Sequence, residues 1–341
     1  MVPTFRRESL GNHLLAIAAL VCISAPVAVA AQQSSGTKQS ATAQQSAKTA
    51  TSTSTPPPNA MAFNTAQEAA SALITAAGSY DETALMSILG TDGKDLISSG
   101  EPALDKQRAL DFAAQAKEKN SVSVDPRTGK RAFLLVGDED WPFAAPIVEV
   151  GSKWYFDSKA GRKELLYRRI GANELDAIQI CRGFVDAQYD YAYQTREDYK
   201  PNQYAQKIVS SPGQKDGLAW QNPDGTWGGP ISEKIAEAIG QGYTVPASSY
   251  HGYMFKVLKG QGPDAPLGKM DYVIEGAMIG GFALVAAPAE YRSTGVMTFI
   301  VSNDGIVYQK DFGSATLDEF KKMELFNPDS SWTPVFDEED K

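Results

Sequence analysis

Apolar and polar positions come in blocks along this chain, and the period of each block predicts an element. Periodicity begins at Thr65, where Thr65-Ala66-Gln67-Glu68 has the spacing of a capping box, a hydroxyl and a carboxylate satisfying the first free amides of a helix. Ala69, Ala70, Leu73 and Ile74 then share one helical face. A second helix is expected from Asp81, with Leu85, Ile88 and Leu89 inward and Gly90 as a left-handed cap, and a third from Pro102 to Lys119. The period then drops to two. Ser121–Val124 and Arg131–Gly137 flank a Pro126/Gly129 turn, while Pro146–Val150 and Lys153–Asp157 flank Gly151-Ser152, so two hairpins are predicted.

The clearest helical signal starts at Gly161. Asp176, Gln179, Gly183, Asp186 and Asp190 form a polar stripe, and Leu175, Ile178, Cys181, Val185 and Tyr189 with Ala177, Ile180, Phe184 and Tyr191 fill the remaining arc. An apolar arc that wide calls for a helix laid across a sheet. Five strand-like segments supply one: Tyr250–Leu258, Asp271–Glu275, Phe282–Ala287, Val296–Ser302 and Ile306–Gln309, the last two joined by the turn Asn303-Asp304-Gly305. Between helix and sheet, residues 200–245 read as a structured loop region holding one helix, Ile231–Ile239. The expected fold class is α+β: N-terminal helices plus a small antiparallel sheet over 62–157, then a long helix packed on a C-terminal antiparallel sheet over 158–336.

The ends read differently. Residues 1–30 have the form of an export signal: basic Arg6 and Arg7, an apolar run through Leu14–Val21, and Ala28-Val29-Ala30 ahead of a cleavage point between Ala30 and Ala31. The run breaks at Ser24-Ala25-Pro26, short of the ~20 residues that span a bilayer, so no transmembrane segment is expected in the mature chain. Cys22 follows Val21 where lipid attachment wants a small residue, which argues against a lipoprotein. Residues 31–61, rich in Ser, Thr, Gln, Ala and Pro, bury too little to offset ordering entropy and are expected to be a disordered linker; 337–341 form an acidic tail. The expected destination is the periplasm or cell envelope.

Composition narrows the chemistry. A net charge of −9 over 341 residues argues against nucleic acid. Two His and two Cys exclude a zinc array or a disulfide scaffold, and loss of the signal leaves only His251 and Cys181. No metal or cofactor is expected.

Cys181 and His251 are the residue types of a nucleophile–base dyad, but Cys181 falls on the apolar arc, where a small buried thiol is the ordinary occupant. Asp138, Glu139 and Asp140 lack the alternating spacing of a calcium loop and read as a turn, as do Asp92-Gly93-Lys94-Asp95 and Asn222-Pro223-Asp224-Gly225. The densest polar group is Arg168, Arg169, Asn173 and Glu174. It suits either an anionic ligand or a lock holding the N-terminal unit on the long helix, and the lock is favoured. With His251 and Tyr253 these four are the candidate binding residues. The aromatic surplus from Tyr189 to Tyr253 (Tyr191, Tyr193, Tyr199, Tyr204, Trp220, Trp227, Tyr243 and Tyr250 between) suits glycan or protein recognition, or a mini-core of rings, which is favoured.

Two resemblances follow. Gly137-Asp-Glu-Asp-Trp-Pro-Phe143, Trp154-Tyr-Phe-Asp157 with Ala160-Gly161, Arg168-Arg-Ile-Gly171 with Asn173-Glu-Leu175, His251-Gly-Tyr253, Gly280-Gly-Phe-Ala-Leu284 and Gly295-Val-Met-Thr-Phe299 resemble the bacterial domain of unknown function 2950 family over about 62–336. That resemblance implies an exported bacterial protein and supplies no activity. Asn173-Glu174, Ala177-Ile178, Ala187-Gln188 and Tyr191-Ala192, with Gly252-Tyr253, Phe255, Ala286, Pro288, Thr294-Gly295, Phe299 and Asp304-Gly305, are similar to the helix and sheet of type II pseudopilins over about 170–312. The pilin helix continues N-terminally into a membrane-spanning half, whereas here a folded unit precedes it. The expectation is a non-enzymatic exported protein that binds an envelope protein or glycan or joins an envelope assembly. The alternative is an envelope hydrolase or small-ligand binder with a site between the two halves.

Overall fold

The computed structural model describes residues 55–193, 202–231 and 252–336. The export signal with Ala30 and Ala31, the linker up to residue 54, the helix expected to follow Ile231, His251 and the acidic tail lie outside the described residues. The chain divides into two compact units, Met1–Leu166 and Tyr167–Lys341. The division falls inside the long helix, whose first turns are bonded to N-terminal elements.

The N-terminal unit begins with α1 (Ala66–Ser79), α2 (Glu82–Leu89), α3 (Lys94–Ile97) and α4 (Pro102–Glu118). Thr65 caps α1, its Oγ1 accepting the Glu68 amide at 3.0 Å, while Glu68 reaches back to the Asn64 amide at 2.9 Å. Strands β1 (Asn120–Val124), β2 (Arg131–Val136), β3 (Trp141–Pro142), β4 (Ile147–Val150) and β5 (Lys153–Phe156) form an antiparallel sheet of order β1-β2-β4-β5, with β3 beside β2. Alternation along β2 sends Ala132, Leu134 and Val136 into a core shared with Leu73, Leu89, Phe112, Ile147 and Phe156.

Three local expectations change here. Residues 91–97 are a 3-10 turn and α3 rather than a plain turn, with Asp92 held by Arg162 at 3.0 Å. Gly90 ends α2 at φ 72 but ψ −178, a positive-φ conformation other than the left-handed helical one. Order also starts before residue 62: the Met61 amide donates to Ser87 O at 2.8 Å and the Thr91 amide to Pro58 O at 3.3 Å, so α2 recruits the end of the expected linker.

Asp105 is a buried carboxylate in this unit, at 5% exposure. Burial raises its pKa, but the Ser99 hydroxyl and amide, the Ser98 hydroxyl and Arg108 outweigh that and hold it below the usual carboxylate range. A depressed pKa means its stabilisation is present above the unfolded-state value and lost as pH falls through the folded one. Asp105→Asn should therefore lower stability by about 1 kcal/mol at neutral pH. The deficit should vanish in acid, as thermal melts at the two pH values would show.

The long helix α5 spans Ser158–Tyr193 and is one element of 36 residues, starting three residues before the expected Gly161. Asp157 caps it, its Oδ1 accepting the Ala160 amide at 3.0 Å, and the Ser158 hydroxyl donates to Leu89 O at 2.6 Å. Gly161 lies where a Cβ would come within 2.8 Å of the Ala145 methyl, so close packing demands glycine there.

In the C-terminal unit, β6 (Lys207–Val209), β7 (Gly217–Gln221) and β8 (Trp227–Gly228) form a small sheet inside the expected loop region. Further on come β9 (Tyr253–Leu258), β10 (Gly260–Gln261), β11 (Met270–Asp271), β12 (Val273–Ile274), β13 (Ala277–Met278), β14 (Ala283–Pro288), β15 (Thr298–Ser302), β16 (Val307–Lys310), α6 (Thr316–Lys322), β17 (Leu325–Phe326) and β18 (Thr333–Pro334). The strand expected over 271–275 is broken at Tyr272, fully buried with its hydroxyl on Gln261 Oε1 at 2.9 Å.

The main sheet is antiparallel, of order β18-β16-β15-β14-β9. Its register puts Tyr253, Phe255, Val257, Leu284, Ala286, Phe299 and Val301 on one face and Met254, Lys256, Leu258, Val285 and Ile300 on the other. The first set shares a core with Ala177, Ile178, Cys181, Phe184, Val185, Ala187 and Tyr191 of α5. On the second face Lys256 sits over the Phe320 ring of α6, and Tyr308 meets Phe326 of β17. The sheet is thus covered on both sides, which is why every residue of β14 is buried.

Leu175 does not belong to the apolar arc. It is 62% exposed, because at about 100° per residue it points roughly opposite to Ala177. Gln188 takes an inner position instead, its amide donating to Ala205 O at 2.9 Å and accepting the Ala205 amide at 2.8 Å, as a neighbouring strand would.

Candidate functional site

Four of the candidate residues converge on one loop, Ala289–Met297 between β14 and β15. Asn173 and Glu174 flank the inner stripe of α5 and face it. Asn173 Nδ2 donates to Thr294 O at 2.8 Å; Glu174 Oε1 accepts the Val296 amide at 2.8 Å and the Met297 amide at 3.0 Å. Tyr253, on β9, donates its hydroxyl to Met297 O at 2.8 Å. Arg169 Nη2 makes a long contact, 3.5 Å, to Ser293 O. Arg168 lies half-buried one residue earlier on the helix. His251 lies outside the described residues, so its relation to this group is not described.

Glycine is needed at the centre of the loop. A Cβ on Gly295 would run into the Tyr253 hydroxyl and ring, and that tyrosine is 1% exposed. Burial, then the Glu174 carboxylate and Cys181, push the Tyr253 pKa far up, so the phenol stays neutral and remains a donor. The loop also braces itself: the Thr294 hydroxyl and amide both donate to Glu290 O, and the Arg292 amide donates to Gly295 O at 2.8 Å.

The arrangement is a latch. One carboxylate oxygen takes two backbone amides in a half-buried setting, the geometry of a charge-assisted structural bond. The lock was expected between the N-terminal unit and the long helix; Asn173 and Glu174 instead bond the sheet loop of the C-terminal unit.

Cys181 is fully buried, and desolvation pushes its thiol up to about 12, with Arg182 lowering it only in part. A thiol so protonated is no nucleophile at neutral pH. Alkylation of the folded chain should leave the Cys181 peptide unmodified by mass spectrometry, with full labelling once urea is added.

Five of the ten surplus aromatics join or pack on the core, and Trp227 is half-buried on β8. Tyr191, Trp220 and Tyr253 are buried; Tyr189 and Tyr204 pack edge-on around Phe282 at 5.5 and 4.8 Å between centroids. Tyr193 is 79% exposed, and Tyr199, Tyr243 and Tyr250 lie outside the described residues. Lys119 binds Asp140 at 3.0 Å and donates to Asp138 O at 3.0 Å, which makes that acidic run a braced turn. Among the described residues no group of three or more His, Cys, Asp or Glu side chains is placed to hold a metal ion. No helix among them is long and apolar enough to cross a membrane.

What the sequence pattern missed is the loop itself. Its signal was present, in Gly295 between polar Thr294 and apolar Val296, but only the register of β14 on β15 shows what the glycine faces.

A family model described as Protein of unknown function (DUF2950) matches residues 60–335. No curated protein and no solved structure matches the chain.

Proposed function

The chain belongs to the DUF2950 family, and on that premise we propose that it is an exported, non-enzymatic protein of the bacterial envelope that binds an envelope protein or glycan, or joins an envelope assembly. The observation that carries this reading is the Glu174 latch: the one carboxylate of the densest polar group accepts two backbone amides of the chain's own loop, at 2.8 and 3.0 Å. Its buried thiol is likewise held protonated. Groups committed to holding a fold have no remaining capacity to move protons or attack a substrate. Export is supported by the basic, apolar and small-residue blocks of residues 1–30.

The test has two arms. N-terminal sequencing of material recovered from the envelope fraction should begin at Ala31; a chain retaining its apolar run contradicts export. The recovered protein, incubated with purified cell-wall glycan or cross-linked in intact cells, should sediment with the glycan or form one discrete adduct, and release no soluble sugar. Released fragments would favour the hydrolase, and absence of both glycan binding and an adduct would remove the binding reading.

A further inference from the structure

The N-terminal sheet has two edges, and they are treated differently. At β5 the edge is closed by Phe63, which exchanges both backbone bonds with Trp154 at 2.9 Å. At β1 no described residue pairs with the outer side. The Gly137 amide donates to Lys119 O and the Asp125 amide to Arg131 O, so residues 119, 121, 123 and 125 turn their backbone groups toward β2. Asn120, Val122 and Val124 consequently turn their N–H and C=O groups outward.

Open edges are normally blunted by lysine, proline or a bulge. Asn120-Ser-Val-Ser-Val124 has none: it is uncharged, regular in register, and exposed at four of its five positions. Val124 is 46% exposed although it lies on the same face as buried Ala132, its register partner. An apolar side chain on the core side of an unclosed edge is the signature of a missing neighbour strand.

We propose that the neighbour is β1 of a second copy of this chain, paired antiparallel about a two-fold axis through Val122. In that register Val122 faces its own counterpart and Asn120 faces Val124 of the partner subunit, so every outward backbone group gains a partner. Lys119, bonded within its own chain to Asp140, then stands opposite Asp125 of the partner subunit, on the same sheet face, at both ends of the seam, so unlike rather than like charges meet there. The neighbouring registers are worse. A shift one way sets Asn120 against Pro126 of the partner subunit, which has no N–H, and Lys119 against Arg127 of the partner subunit. A shift the other way sets Val124 against Glu118 of the partner subunit, the helical end of α4. An isologous seam of this kind is self-complementary, as a two-fold dimer requires. It is smaller than a standard interface, so association is concentration-dependent. This inference does not rest on the proposed function.

The test is sedimentation equilibrium of the purified full chain across a dilution series. The weight-average mass should rise toward twice that of one chain. Val122→Pro removes an outward N–H that β2 does not use, and Val124→Lys places a charge on the edge; both should hold the mass at one chain with unchanged melting. Should either variant unfold, hydrogen exchange of the wild-type amides of 120, 122 and 124 decides, with protection that grows with concentration expected. A wild-type mass of one chain throughout, variants that still dimerise, or exchange independent of concentration would each overturn the seam.

Discussion

Phe282→Ala is expected to lower the stability of the C-terminal unit by about 4 kcal/mol, the cost of emptying a fully buried aromatic site. Phe282 is 0% exposed and is the hub of a ring cluster, with Phe184 and Tyr189 of α5 at 5.7 and 5.5 Å and Tyr204 at 4.8 Å. No single rotamer change refills the space, because three rings contact it at steep angles. Urea unfolding followed by circular dichroism should show the loss in the transition of the C-terminal unit alone. Phe282→Leu should recover about half of it. A change below about 1 kcal/mol would mean that α5 does not share its core with the sheet.

Glu174→Ala should cost about 3 kcal/mol, since it strips a charged acceptor from two amides and leaves both unsatisfied. Glu174→Gln keeps an acceptor oxygen and should cost about half as much. The pair of variants separates a latch from a catalyst. A latch loses stability in the order Ala, then Gln. A catalytic carboxylate loses any activity fully in both, with Gln leaving stability unchanged.

The elements that the sequence made legible are those with a long, one-sided period. β1 with β2 and β4 with β5 were readable because their turns carry Gly129 and Gly151, both at positive φ, between alternating runs. The long helix was readable because its polar stripe holds to a period near 3.6 over many turns. Its inner boundary was not: Leu175 counts as apolar in any pattern, yet only its angle from Ala177 decides that it faces water. The reverse error hid Gln188, whose burial depends on a backbone segment at Ala205, seventeen residues away. The strands β6, β7 and β8 were hidden for a related reason, as Gly217 and Gly228 sit where close backbone or ring approach, rather than a turn, demands glycine.

The candidate site was half legible. Arg169, Asn173, Glu174 and Tyr253 were all singled out by residue type, and all four contact the same loop. That all four reach backbone groups of that loop follows only from β14 and β15 pairing in register across it, over 120 residues beyond Arg169, Asn173 and Glu174 in the chain.

The carboxylate of Glu174 fastens the β14–β15 loop to the long helix. Native-state hydrogen exchange at the Val296 and Met297 amides tests it most directly. Both amides should exchange as slowly as those within β15 in the wild-type chain, and in Glu174→Ala they should exchange many-fold faster while amides of the N-terminal sheet stay protected. Fast exchange at both positions in the wild type, or protection unaltered by the substitution, would contradict the account.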